Sequence, residues 1–173
     1  MTRQLTSFDD SRAYRDAVGR YASGVVVVGA TADDGQRVGF TCQSFHSVSL
    51  DPPLILIGVA RTSSTYPLIR DLGRFAVSVL GHGHREVASA FARKGVDRWS
   101  GVAHTETAAG NPVLSESLVW LDCEIDAEHD AGDHHLVVGR VLEMSSPDAQ
   151  DGAEPLLFYR GGFHRIAPAP AAG

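Results

Sequence analysis

VGFTCQSFHSVSLDPPLILIGVARTSS, residues 38–64, joins two strand signatures through a run of hydroxyls. Val38, Phe40 and Cys42 alternate with Gly39, Thr41 and Gln43, the period of a half-buried strand. Ser44, His46, Ser47 and Ser49 follow, and Pro52-Pro53 ends that polar segment and introduces the apolar run Leu54–Ile57. The run closes at Ala60-Arg61-Thr62-Ser63-Ser64, a strand end feeding a helix N-terminus. Hydroxyls, backbone donors and one cation therefore collect at the ends of two strands. Such a grouping suits a polar, phosphorylated, planar ligand. A strand, a Ser-rich connection and a buried strand with no ligand is the alternative from composition alone.

Outward from this stretch, antiparallel hairpins dominate. Val25–Val28 is a β-branched run that reads as a buried strand, and Asp33-Asp34-Gly35 is the hairpin turn that returns it along Arg37–Cys42. Residues 8–22 predict an amphipathic helix with Phe8, Tyr14, Val18 and Tyr21 inward, Ser7 or Asp9 as cap and Gly24 as stop. Beyond Pro53, a strand over 54–59 precedes a short helix over 66–72, capped by Thr62, Ser63 or Ser64 and stopped by Gly73. A strand over 75–80, the turn Gly81–His84 and a helix over 85–93 with Val87, Ala88 and Phe91 inward come next. Residues 94–117 read as a long loop with little regular structure, a length that points to function. Leu118–Ala127 alternates, with Trp120, Asp122, Glu124 and Asp126 on the wet face. His135–Met144 is the return strand. Pro155–Ile166 reads as a last strand with Gly161-Gly162 as a bulge or close-approach site.

About seven strands and two or three short helices make the chain mainly β, a small closed or partly closed barrel rather than a doubly wound sheet. At 173 residues it is read as one domain, residues 1–166, followed by an Ala/Pro tail at 167–173 expected to be disordered. A net charge of -6 without a Lys/Arg block argues against nucleic acid or an anionic membrane as partner. No apolar run reaches the ~20 residues of a membrane span, and the N-terminus lacks a signal-peptide h-region. The two cysteines, Cys42 and Cys123, sit in strand-like runs and read as small buried hydrophobes. These features point to the cytoplasm.

Sequence motifs exclude several chemistries. No GxGxxG follows a strand, and neither a P-loop nor a GxSxG elbow occurs. The eight histidines lack the spacing of a metal site, so no metal is expected. Asp133-His134 opens a strand, where the carboxylate can fix the imidazole's orientation and charge; a turn that caps itself is the other reading.

Taken together, several segments resemble the short-chain flavin reductase family, the reductase components of two-component flavin-dependent monooxygenases. They are YASGVVVV (21–28), VGFTCQSFHSVSLDPPL (38–54), VARTSST (59–65), GRFAVSVL (73–80), the FA of SAFARK (89–94), NPVL and LVWLDCEI (111–125), GDHHLVVGRV (132–141) and PLLFYRGGF (155–163). The combination of SxSxxPP at Ser47–Pro53 with a distant GDH and PLLFYRG carries the specificity.

The resemblance implies a split β-barrel of the Greek-key, FMN-binding type with a few short helices, in a homodimer. It implies hydride transfer from the C4 of NADH or NADPH to the N5 of FMN or FAD, the reduced flavin then leaving for a separate monooxygenase. The protein's share in such chemistry is orientation, so no strong acid–base pair is expected. By the same resemblance Phe40, Thr41, Cys42, Gln43, Ser44, His46 and Ser47 border the flavin ring, and Val59, Ala60 and Arg61 line its ribityl chain. Arg61, Ser63 and Ser64 reach the phosphate, while Phe91 and Ala92 touch the flavin from their helix. His134 stands beside the nicotinamide with His135 next to it, and Tyr159, Arg160 and Gly161 lie near the ring. Phe163 stands where many relatives carry Tyr, and His46 departs from the usual family residue. A flavin-binding electron carrier and a pyridoxamine-phosphate-oxidase-like enzyme are the alternatives on related barrels. GDHH at 132–135 favours the reductase over the carrier, and the scattered 15 Lys plus Arg count against a second phosphate site.

Overall fold

Four consecutive valines, Val25–Val28, set the architecture because both faces of their strand are covered. The computed structural model describes residues 10–146 and 153–166. Within them, β2 (Val26–Thr31) lies inside a seven-stranded antiparallel sheet. Its order is β3 (Arg37–Cys42), β2, β6 (Arg74–Val79), β9 (Val119–Ala131), β10 (His134–Met144), β5 (Pro53–Ala60) and β4 (His46–Leu50). Val26, Val28 and Ala30 face a core built with Ile55, Ile57, Val59, Phe75, Val77 and Val137. Val25 and Val27 face a second core with Leu80, Ala88, Phe91, Trp99, Leu114 and Leu156. A strand buried on both sides needs no polar alternation, which is why the run is continuous.

The second core is roofed by α3 (Arg85–Phe91) and the segment after it. Trp99 packs edge-on against Phe91, with ring centroids 4.9 Å apart. It fits because Gly29 and Gly39 are cross-strand partners beneath it. A Cβ on Gly29 would stand 2.7 Å from the indole, and one on Gly39 would stand 3.0 Å from the Phe91 ring and 2.8 Å from the Val28 carbonyl. The first core is closed by α2 (Tyr66–Leu72), which buries Tyr66 and Ile69 and ends on Gly73 at φ 68°, as its sequence predicts.

Several elements differ from the sequence reading. The first helix, α1, spans Ser11–Val18, is capped by Asp10 and ends at Gly19, not Gly24. Its apolar face is not buried: Tyr14, Val18 and the following Tyr21 are exposed. Ser7, Phe8 and Asp9 lie outside the described residues, as does the 167–173 tail. The Ser-rich segment is not a mere connection but the edge strand β4, paired to β5. The long loop contains a small hairpin, β7 (His104–Glu106) with β8 (Pro112–Leu114). Asp122 is buried rather than wet, because Asn111 donates to its carboxylate at 2.8 Å. The C-terminal strand is two strands, β11 (Leu157–Tyr159) and β12 (Gly162–His164), with β11 also paired to β1 (Ser23–Gly24). Arg160 and Gly161 make their turn at φ 50° and 80°, the backbone of a tight hairpin rather than a bulge. The described residues thus hold twelve strands and three α-helices, and the fold is mainly β, with β3 and β4 as open edges of the large sheet. Among the described residues no helix is long and apolar enough to cross a membrane.

Candidate active site

The free edge of β3, the end of β5 and the start of β10 meet in a cleft of about 420 Å³. It is floored by Phe40, Thr41, Cys42, Gln43 and Ser44, walled by Gly58, Val59, Ala60 and residues 62–65, and bounded by Phe91, Ala92, Lys94, Arg98 and His134. Strand pairing explains what the floor can offer. β3 has one neighbour, β2, so alternate residues turn their backbone groups away from the sheet. The Gly39 carbonyl accepts from Arg98 on that outer side at 2.9 Å. Thr41, two residues on, shares that orientation and presents an unpaired N–H and C=O beside the cleft. Its side chain is fixed elsewhere, since its hydroxyl donates to the Ala88 carbonyl at 2.6 Å.

The wall is tied to the floor by one hydroxyl. Ser44 Oγ both accepts from Gly58 N and donates to Gly58 O, each at 2.9 Å. Burial pushes the Cys42 thiol up, against weaker opposing hydrogen bonds from its neighbours, so it stays neutral. Burial likewise pushes the Cys123 thiol up to about 12, with Asp122 adding to the effect. Neither cysteine is a nucleophile near neutral pH. Ser63 Oγ accepts from the amides of Thr65 and Tyr66 at 3.3 and 3.2 Å, so this hydroxyl caps α2, while the N-cap residue Thr65 makes no such bond.

At the rim, the two-residue turn Gly132-Asp133 leads into β10, with Gly132 at φ 62°. His134 Nδ1 lies 2.7 Å from the Asp133 carboxylate. The hydrogen bond with His134, and then its charge, hold the Asp133 carboxyl below its usual range. This contact uses Nδ1 and leaves Nε2 for a ligand. His135 points to the opposite face. Its Nδ1 lies 3.1 Å from Asp130 and 3.4 Å from Glu128, close enough for charge interaction but out of hydrogen-bond alignment. Its Nε2 lies 3.3 Å from Arg70. Glu128 also accepts from the buried Tyr66 hydroxyl, a very short contact, and from Arg70 at 2.7 and 2.9 Å. Burial alone would raise Glu128; the bonds from Tyr66 and Arg70 outweigh it and keep the carboxyl low.

The profile of the flavin reductase like domain matches residues 18–167. The chain belongs to the flavin reductase family. It is 38% identical over 159 residues to the reductase subunit HsaB of a flavin-dependent monooxygenase from Rhodococcus jostii, covering 92% of this chain and 80% of that one. A flavin reductase of Pseudomonas putida is 38% identical over 158 residues, 91% of each chain. Among solved structures, an NADH:FAD oxidoreductase of Streptomyces globisporus in complex with NAD and FAD fragments superposes with a TM-score of 0.88 at 33% identity. That match covers 96% of this chain and 99% of the other. These likenesses make the chain a flavin reductase.

In this flavin reductase the cleft brings together Phe40–Ser44, Val59, Ala60, Ser63, Ser64, Phe91, Ala92 and His134. Other expected residues lie outside it. The Arg61 guanidinium is 2.8 Å from Asp130, and its backbone N–H donates to Asp133 O, so it braces the turn before β10. His135 belongs to the Glu128 cluster. Ser47 is on the edge strand opposite Ile55. His46, Arg160 and Gly161 line a separate groove of about 830 Å³ that meets the cleft at Gln43 and Ser44. Tyr159 is next to that groove, with Arg160 over its ring. The cleft also contains Gly58, Thr62, Thr65, Lys94 and Arg98, which the sequence reading missed. Asp97-Arg98-Trp99 between Gly95 and Gly101 is the available signal for Arg98: a charged, aromatic insert within a glycine-bounded loop.

Proposed function

We propose that this chain is the reductase component of a two-component monooxygenase, reducing FMN or FAD with NADH or NADPH and releasing the reduced flavin to a separate oxygenase. The observation that carries this reading is the composition of the cleft. Two cations and a histidine line it, and among the described residues no Asp or Glu does, in a chain of net charge -6. A planar, phosphorylated ligand fits these features: Phe40 and Phe91 supply apolar walls, and the outward Thr41 backbone groups match a ring edge carrying donors and acceptors.

Flavin, when bound, supplies the ring that accepts a hydride from the nicotinamide. The chain's residues orient and enclose. Phe40–Ser44 border the ring, Val59 and Ala60 line the ribityl chain, and Ser63, Ser64, Phe91 and Ala92 complete the pocket. His134 positions the nicotinamide through Nε2 while Asp133 holds its ring. The adjoining groove, with His46, Arg160 and Gly161, admits the rest of the dinucleotide. No proton donor is required, which agrees with the neutral thiols and the absence of a carboxylate in the lining.

The finer architecture follows the same reading. The Ser44–Gly58 clamp draws the β3 exit to β5, as in a split barrel whose edges approach without pairing. The uncovered face of α1, with Tyr14, Val18 and Tyr21, suits a homodimer interface. The reductase subunits among the relatives support an oxygenase partner, and a cytoplasmic location fits a nicotinamide-using enzyme. Nicotinamide oxidation by the purified protein, followed with added FMN, FAD or riboflavin, tests the proposal. Turnover that saturates with flavin is expected. Bound yellow flavin without turnover would assign an electron carrier instead.

A further inference from the structure

We infer that Arg98, rather than Arg61, makes the cleft selective for phosphorylated flavin; the inference rests on the cleft being the flavin site. Three features single Arg98 out: the acceptors it uses, the elements it joins and the charge it leaves uncompensated.

The guanidinium spans three walls of the cleft. Nη1 donates to the Gly39 carbonyl on the β3 edge at 2.9 Å and to Thr65 Oγ1, just before α2, at 3.1 Å. Nε donates to the Arg93 carbonyl at 2.8 Å, just past α3, and Nη2 reaches the same oxygen. These bonds fix the group in place. All the acceptors are neutral, and no carboxylate pairs with Arg98 among the described residues. The adjacent Asp97 turns its Oδ1 to the amides of Trp99 and Ser100 instead. Backbone and hydroxyl oxygens orient a guanidinium without cancelling its charge, so a full positive charge stands at the cleft wall, with Lys94 beside it. Arg61 presents the opposite case: Asp130 at 2.8 Å neutralises it, and it lies outside the lining.

The segment that delivers the charge is built for placement. Gly95 and Gly101, at φ 73° and 72°, bracket it. Trp99, 5% exposed, anchors it in the second core. An anchored loop gives the cation a fixed position, so the ligand does not have to order it on binding. Such a charge favours an anionic phosphate ester over the neutral alcohol of the same ring system, and the preference weakens with salt.

The test compares FMN with riboflavin by quenching of flavin fluorescence, in the wild-type chain and in Arg98→Gln, Arg98→Lys and Arg61→Ala. Wild type is expected to prefer FMN, less so at high salt. Arg98→Gln should lower FMN affinity about tenfold while leaving riboflavin nearly unchanged, and should flatten the salt dependence. Arg98→Lys keeps the charge and should retain most of the preference, which covers the case in which the Gln variant fails to fold. Arg61→Ala should keep the wild-type ratio. Equal loss of FMN and riboflavin in Arg98→Gln would reduce Arg98 to a structural clasp, and loss of selectivity in Arg61→Ala alone would overturn the assignment. Binding of both flavins by wild type without preference would end the inference and leave the flavin site standing. Binding of neither would remove the flavin site itself.

Discussion

His134 and His135 are neighbours on one strand and live in different worlds. His134 is 46% exposed by its side chain, with one partner, Asp133, in open solvent. His135 is 15% exposed, between Glu128, Asp130, Arg70 and the Tyr66 ring, whose centroid lies 5.8 Å away. Strand alternation separates them by a single residue step. His135 shares its face with Val137, which is in the first core, while His134 opens on the cleft. A histidine with one ring nitrogen held and the other free can serve a ligand; one enclosed by carboxylates and a guanidinium holds elements together. The difference assigns chemistry to one face of β10 and stability to the other.

The strongest way to break this division is to remove the hub of the structural face. Glu128→Ala leaves the buried Tyr66 hydroxyl and the Arg70 guanidinium without their acceptor. A loss of about 2 kcal/mol in denaturant unfolding is expected, because the buried Tyr66 hydroxyl is left unpaired, while the exposed Arg70 guanidinium can turn to water. The KM for nicotinamide should stay unchanged. A large KM effect in a chain of normal stability would show that the two faces are coupled.

His135→Ala comes next, at about 1.5 kcal/mol, since it removes a packed ring while Glu128 keeps Tyr66 and Arg70. His134→Ala is the mirror experiment. Its melting temperature should match wild type, while the KM for nicotinamide rises about tenfold. Flavin affinity should hold. A fall in flavin affinity with an unmoved nicotinamide KM would place His134 on the flavin instead.

The two faces also differ in how readily sequence betrays them. Val25–Val28, the Asp34-Gly35 turn and α2 with its Gly73 stop carry local signals, and the structure follows them. The apolar stripe of α1 is legible in the sequence but its exposure is not, because burial depends on what packs there, and nothing in the described residues covers it. β4 escapes a sequence reading because its alternation, Val48 and Leu50 against Ser47 and Ser49, spans only five residues and sits in a hydroxyl-rich run that Pro52-Pro53 cuts off like a connection. Asp122 looked wet since its partner, Asn111, comes from a distant loop. Arg61 and Arg98 show the same limit within the cleft. Both are single arginines in short polar runs, and what separates them is whether the nearest acceptor across the fold is a carboxylate or a carbonyl. That choice is made by β9 for one and by β3 for the other.

The smallest expected effect is a pH response confined to the structural face. Glu128 is held below its ordinary value of 4.5 in the folded chain. The unfolded chain therefore binds its proton first as pH falls, so the carboxylate's contribution is complete above 4.5 and is lost as pH drops through the lower folded value. Thermal unfolding followed from neutral pH down to about pH 3 should show a decline in wild type that is shallower in Glu128→Gln, whose neutral amide cannot titrate. Asp133 is also held low, by His134, but it stands in open solvent, where such pairs are well screened. Asp133→Asn should therefore leave the acid limb of the stability curve where it is. If Asp133→Asn flattened that limb and Glu128→Gln did not, the stabilising carboxylate would lie at the cleft rim and the division of β10 into a binding face and a structural face would fail.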